Sequence, residues 1–402
     1  MVSMLINGSL HNAAKSMDVI DPCTEQAFTQ VPDAEANDVD KAVQAASIAF
    51  PKWRDTSPDE RGKILNAIAD VITENMTELA GLLVQETGRP EPLAQFELGL
   101  AIQYFNFYAA IRLEPEIIAD DETRLVELHR KALGVVAAIV PWNAPVYIAA
   151  NKIAPALCAG NTIVVKTAPT TPLTTLRLGE LIADIVPAGV INILSGGNVA
   201  GAHLVSHDDV AKVTFTGSTE TGRKIMAAVA PTLKRLTLEL GGNDAAIVLP
   251  DADPKTIAPG IFGFSFFNSG QVCAVIKRLY VHDSIYDAMC DELSAMAESA
   301  VVANGSNPDA QFGPVQNRMQ YEKVLGYLKS ARNEGKIITG GKPSDGPGYF
   351  IPLTIVRDVE DGQSIVDEEP FGPILPVIRY SNVDDVIAKA NASPFALGGS
   401  VW

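Results

Sequence analysis

Apolar spacing divides the chain into a helical opening, an alternation of strands and helices, and a second mixed stretch. Residues 1–36, broken at Asn7-Gly8 and Asp21-Pro22, read as short strands wrapping a core. From Asn37 the stripe Val39, Ala42, Val43, Ala46 and Phe50 predicts a helix ended by Pro51. Thr56-Ser57-Pro58 opens a second helix through Ile64, Ile68 and Ile72. A third covers Met76 to Glu86, stopped by Gly88 and Pro90, and a fourth runs from Leu93 to Ile111. These helices read as scaffold. In residues 113–131 two β-prone runs, Ile117-Ile118-Ala119 and Leu125-Val126-Glu127-Leu128, flank an acidic turn and predict a hairpin apart from the core. A subunit contact and a plain surface hairpin fit these residues equally.

Strands and helices then alternate. Val135–Val140, Asn161–Lys166, Val190–Leu194, Val213–Phe215, Leu236–Leu240 and Ala245–Leu249 read as buried strands. Helices are expected at Ile148–Leu157, Pro172–Ile185, after Gly196-Gly197 and at Thr219–Val229. This is the pattern of an α/β, doubly wound parallel sheet, an architecture that binds nucleotides but does not by itself prove a ligand. A second α/β unit follows from Gly241, with strands at Arg278–Val281, near Ile337, at Ile351–Val356 and at Leu375–Arg379. Its helices are expected at Ser284–Val302 and Asn317–Asn333.

A chain of 402 residues fits two domains better than one core. The 31 basic against 48 acidic residues give a net charge of −17 without basic runs, which argues against nucleic acid or an anionic membrane as partner. The longest apolar run, Leu133 to Pro141, is too short to span a bilayer, and the N-terminus lacks a signal-peptide pattern. Cys23, Cys158, Cys273 and Cys290 form no CxxC pair, and the five histidines form no ligand spacing, so no metal is expected and a reducing, cytoplasmic setting fits.

Two short motifs bracket the candidate chemistry. Leu238-Glu239-Leu240-Gly241-Gly242 places a carboxylate beside two glycines, and Phe267-Asn268-Ser269-Gly270-Gln271-Val272-Cys273 places a thiol in a polar, adaptable loop. A cysteine nucleophile served by a general base is one reading; a buried small hydrophobe and a half-exposed strand residue are the other. No G-x-G-x-x-G follows any strand. Phe215-Thr216-Gly217-Ser218 ends a strand and starts a helix, where amides can hold a phosphate or Ser218 can simply cap. Lys166 at a strand's C-terminal end suits ribose hydroxyls or solvent. Asn143, in Pro141-Trp142-Asn143, suits an oxyanion or a turn.

The combination resembles the aldehyde dehydrogenase superfamily, from Leu5-Ile6-Asn7-Gly8 to Gly398-Gly399, with both motifs at the family's spacing. The resemblance implies an NAD(P)-binding domain over residues 1–112 and 132–240, an oligomerisation hairpin over 113–131 and a catalytic domain over 241–402. It implies Cys273 as nucleophile, Asn143 with the Cys273 amide as oxyanion hole, and Glu239 as the base that activates water. The implied cofactor contacts are Trp142, Lys166, Gly217, Ser218, Leu240, Gly241, Glu369 and Phe371, with Gln320 and Lys323 more peripheral. Members that release the acyl group to CoA typically lack a glutamate at this position, so hydrolysis to a free acid is expected. A CoA-acylating enzyme and a catalytically idle relative are the competing classes.

Three departures bear on this. Pro169 stands where many NAD-preferring members have a glutamate, so NAD is expected with NADP tolerated. Ala144 and Asn151 stand where several relatives carry bulky aromatics, implying a wider, less apolar entrance for the aldehyde. Relatives also continue beyond the apolar Phe395–Trp402 segment, so an incomplete chain is expected, with a homodimer or homotetramer when the full C-terminus is present.

Overall fold

In the computed structural model, which describes residues 2–402, the chain forms two compact units. The first comprises Met1–Val19, Ala27–Leu83 and Ala94–Glu239; the second comprises Ile20–Gln26, Val84–Leu93 and Leu240–Trp402. Two short excursions from the N-terminal half, Ile20–Gln26 and Val84–Leu93, thus group with the second unit.

The first unit is built on a seven-stranded sheet. Its five parallel strands lie side by side in the order Arg235–Glu239, Val210–Thr216, Val135–Ile139, Thr162–Lys166 and Ile191–Leu194. Met4–Ile6 and Ser9–His11 extend it as antiparallel strands. The earliest parallel strand therefore sits between the second and the fourth, so chain order reverses between Val135–Ile139 and Val210–Thr216. In open α/β sheets ligands bind beyond the carboxyl ends of the strands at such a reversal. Both faces are covered, which is why Val135–Ala138 and Thr162–Lys166 are buried throughout rather than at alternate positions.

The second unit carries a six-stranded sheet in the order Lys336–Thr339, Thr354–Val359, Ile374–Tyr380, Ile276–His282, Asp244–Val248 and Gly399–Val401. All neighbours are parallel except the antiparallel first pair. Helix Pro254–Ser265 packs on helix Tyr286–Ser299, and Phe262, Phe266, Met289 and Leu293 join the sheet's core cluster.

Several boundaries differ from the sequence reading. The first helix spans Ala36–Asp55 and passes through Pro51, because buried Trp53 anchors its last turn and the Arg61 guanidinium donates to the Arg54 carbonyl beyond it. Asp244–Val248 belongs to the second sheet, paired with Ile276–His282. Helix Pro254–Ser265 escaped notice because Pro254, Pro259, Gly260 and Gly263 mask its period; an Asp253 cap starts it. Glu116–Asp121 and Arg124–Leu128 form the expected hairpin, a two-stranded sheet among the described residues.

Candidate active site and cofactor site

The parallel register of the first unit collects its candidates at one sheet edge. Leu238, Phe215, Ile139 and Lys166 are consecutive cross-strand partners, followed by Leu194. Glu239, Gly217-Ser218 and Pro141-Trp142-Asn143 therefore all emerge at the C-terminal ends of neighbouring strands, and the Gly217 amide donates to the Glu239 carbonyl at 3.0 Å. The segments after Ile139 and after Thr216 flank the order reversal.

Asn143 is positioned by the helix that follows it. Pro145 occupies the first helical position, where its missing N–H costs nothing, and the carboxylate of buried Glu97 accepts from the amides of Val146 and Tyr147 at 2.8 and 3.1 Å. A carboxylate at a helix N-terminus is favoured by the exposed amides and the dipole. The Trp142 carbonyl accepts from the Thr171 hydroxyl at 3.3 Å, fixing the same turn.

The cofactor candidates in this unit divide. Lys166 is buried at its strand end, and burial pushes its amine down to about 8 against the pull of Asp33. Among the described residues its Nζ meets no hydrogen-bond acceptor, leaving donors for a ligand's hydroxyls. Ser218 caps helix Thr219–Val229, accepting from the Thr221 amide at 3.2 Å, so the plainer of its two sequence readings holds structurally. Capping leaves the neighbouring first-turn amides at the strand-to-helix turn as donors for an anion. These features fit a dinucleotide's ribose and phosphates.

Lys152 was missed from the sequence. Its Nζ donates to the hydroxyls of Thr214 and Thr216 at 3.2 and 2.8 Å, and burial pushes it down to about 8 against the pull of Glu239. A signal existed: Lys152 interrupts an otherwise apolar helix face of Ala149, Ile153 and Ala156.

In the second unit the Cys273 loop is held in an unusual conformation. Asn268, Ser269 and Gly270 have φ of 52°, 57° and 73°, three left-handed residues in succession. Each non-glycine residue there costs of order 1 kcal/mol or more, so the surroundings must enforce it. The Ser269 hydroxyl donates to the Gly313 carbonyl at 2.9 Å. The Gln271 amide donates to the Asn268 and Pro314 carbonyls and accepts from the Gln316 amide at 2.9 Å. A Cβ on Gly270 would lie 2.2 Å from the Gly372 carbonyl oxygen, so only glycine fits.

Cys273 follows this braced turn. Of the four free cysteines it alone is half-buried; Cys23, Cys158 and Cys290 are buried. Burial raises its thiol pKa, Lys277 pulls it down, and Glu369 pushes it up. The two sequence motifs also touch: a Cβ on Gly242 would lie 2.7 Å from the Cys273 carbonyl oxygen. That approach explains the second glycine after Leu240-Gly241.

Glu369 and Phe371 lie in the same neighbourhood. The Glu369 carboxylate accepts from the Gly242 amide at 3.3 Å, and burial raises its pKa against the pull of Lys277. Phe371 is left-handed at φ 50°. Gln320 donates to the Pro370 and Phe371 carbonyls at 2.9 and 3.0 Å, and Lys323 to the Glu369 carbonyl at 3.3 Å. Gln320 and Lys323 thus hold the backbone that presents Glu369 and Phe371. Among the described residues no group of three or more His, Cys, Asp or Glu side chains could hold a metal, and no helix is long and apolar enough to cross a membrane.

Comparison with known proteins gives this arrangement its context. The family model described as the aldehyde dehydrogenase family matches residues 10–402. A putative aldehyde dehydrogenase, DhaS, of Bacillus subtilis (strain 168) is 40% identical over 395 residues, covering 96% of this chain and 80% of that protein. The NAD+ complex structure of aldehyde dehydrogenase from Bacillus cereus superposes with a TM-score of 0.97 at 34% identity, covering 100% of this chain and 84% of that one. An Escherichia coli structure described as an NADP-dependent enzyme also reaches 0.97 at 34% identity, covering 100% and 85%. Motifs, fold and relatives agree, and the chain belongs to the aldehyde dehydrogenase family.

Proposed function

We propose that this enzyme oxidises an aldehyde to the free acid through a thioester on Cys273, hydrolysed by water that Glu239 activates. The observation that carries the reading is the Cys273 loop: a half-buried thiol set after three braced left-handed residues. Such strain is retained where a reactive group must be held in one orientation. The Cys273 thiolate attacks the carbonyl carbon, and the π pair moves onto oxygen. The Asn143 side-chain amide and the Cys273 N–H donate to that oxyanion. NAD(P)+, when bound, supplies the acceptor for the hydride that the tetrahedral carbon releases. Glu239 then takes a proton from water as its oxygen adds to the thioester carbon, and the thiolate leaves with the C–S bond's electron pair.

Lys166, Gly217 and Ser218 are assigned the ribose and phosphate side of the cofactor, with Trp142, Leu240 and Gly241 beside it. Glu369 and Phe371 are assigned the nicotinamide side, supported from behind by Gln320 and Lys323. NAD is the preferred cofactor, with NADP tolerated, because Pro169 is exposed three residues beyond Lys166 and carries no carboxylate to repel a 2′-phosphate. The expected kcat/KM ratio favours NAD by no more than about 100-fold, some 2.7 kcal/mol. Strict use of NADP, or a larger NAD preference, overturns this. A reducing, cytoplasmic setting is supported by four free cysteines.

The hairpin is assigned to self-association as a homodimer or homotetramer. Ile117, Ile118 and Leu125 are each about three-fifths exposed on it, and apolar surface of that kind marks contact sites. Light scattering on an Ile118→Asp variant of a chain that is oligomeric in its native form is expected to give a lower mass. An unchanged oligomer mass removes the assignment.

A further inference from the structure

The strand following Cys273 carries, at its second position, a buried cation that the steps above do not use. Lys277 is 4% exposed, on strand Ile276–His282. Its Nζ lies 3.4 Å from Glu369 Oε1, donates to the Val272 carbonyl, and reaches the Cys273 carbonyl at 3.5 Å. An ammonium has three donors and no acceptor, and these three oxygens match them one for one. The Phe371 ring centroid lies 5.3 Å from the same nitrogen. One side chain thereby touches the backbone on both sides of the nucleophile's amide and the carboxylate of the Glu369–Phe371 segment.

We propose that Lys277 is a positioning residue that ties the Cys273 backbone to Glu369 and supplies the positive charge that favours the Cys273 thiolate. The inference rests on Cys273 being the nucleophile and adds the group that readies it. Electrostatics supports the geometry. Lys277 opposes the burial that raises the thiol pKa, while Glu369 raises it further. Asp244 also faces Lys277, Arg278 faces Asp244, and Lys323 faces Glu369. Removing Lys277 both withdraws the cation and exposes the thiol to an uncompensated Glu369, so the two effects add. Neither a hydrophobic core lysine nor a simple loop brace would couple Cys273 to Glu369 in this way.

The test is the pH dependence of Cys273 alkylation by iodoacetamide, read by peptide mass in the full chain. Lys277→Met is expected to raise the midpoint by about one pH unit. Lys277→Met combined with Glu369→Gln recovers part of that shift, and Lys277→Arg recovers most of it. Released Glu369 should also raise KM for NAD in the single variant. An unchanged midpoint in folded Lys277→Met overturns the proposal. Should that variant fail to fold, Glu369→Gln alone decides: a lowered midpoint supports the coupling, and an unchanged or raised one refutes it. Alkylation needs no turnover, so failure here leaves the nucleophile's assignment standing; an active Cys273→Ala enzyme is what would remove that.

Discussion

Cys273→Ala is expected to lose aldehyde-dependent formation of NAD(P)H by on the order of 10⁴-fold or more, with the fold intact. Removing a nucleophile costs a catalytic unit almost everything, because the base and the oxyanion donors then have no covalent adduct to act on. A loss of 10⁴ corresponds to about 5.5 kcal/mol of transition-state stabilisation. Stability should change little, by about 1 kcal/mol or less. The thiol is half-buried, and the loop's conformation rests on Ser269, Gln271 and Gln316 rather than on sulfur. Steady-state rates with a saturating aliphatic aldehyde, beside a thermal melt, check both halves. Full activity would remove Cys273 from the chemistry.

Under the proposed mechanism, Glu239→Gln is expected to separate the two halves of the reaction. Glu239 ends an edge strand with its side chain exposed, so the near-isosteric amide should not disturb the sheet. In that mechanism thiolate attack and hydride release need no base at this position, whereas hydrolysis of the thioester does. One equivalent of NAD(P)H per active site is therefore expected in a rapid burst. Steady-state turnover should be slowed by about 10²–10⁴-fold, the range for loss of a general base. Full steady-state rate would contradict the assignment. Added CoA restoring turnover of the wild-type enzyme beyond its rate in water would favour acyl transfer to CoA instead.

The parallel architecture was legible because both faces of the first sheet are covered: continuous apolar runs such as Val135–Val140 between amphipathic helices admit few other folds. Glu239 stood out as a carboxylate between Leu238 and Leu240 beside two glycines and Cys273 as a thiol in a polar loop, but each kept a plain structural reading, and their proposed roles came from the family resemblance. The sequence could not reveal that Asp244–Val248 leaves the first sheet for the second, since partner choice between equally apolar strands depends on the whole chain. Nor could it reveal that Lys152 meets Thr214 and Thr216, or that Lys277, beside the local carbonyls of Val272 and Cys273, also reaches Glu369, because those partners are distant in sequence. The same holds for Gln320 and Lys323, which resemblance placed at the cofactor's periphery and which hold the 369–371 backbone. Pro51 shows the limit of a local rule, because one buried tryptophan outweighed the helix-breaking tendency of proline.

A covalent acyl intermediate on Cys273, resolved by Glu239, is the step on which the proposed mechanism turns. Its most direct test is to mix Glu239→Gln enzyme with aldehyde and NAD, quench in acid after the burst, and map the peptides by mass. Close to one acyl group per chain is expected, on the peptide containing Cys273 and absent from the Cys273→Ala/Glu239→Gln double variant. A full burst of NADH with no adduct, or with the adduct on another residue, would contradict it.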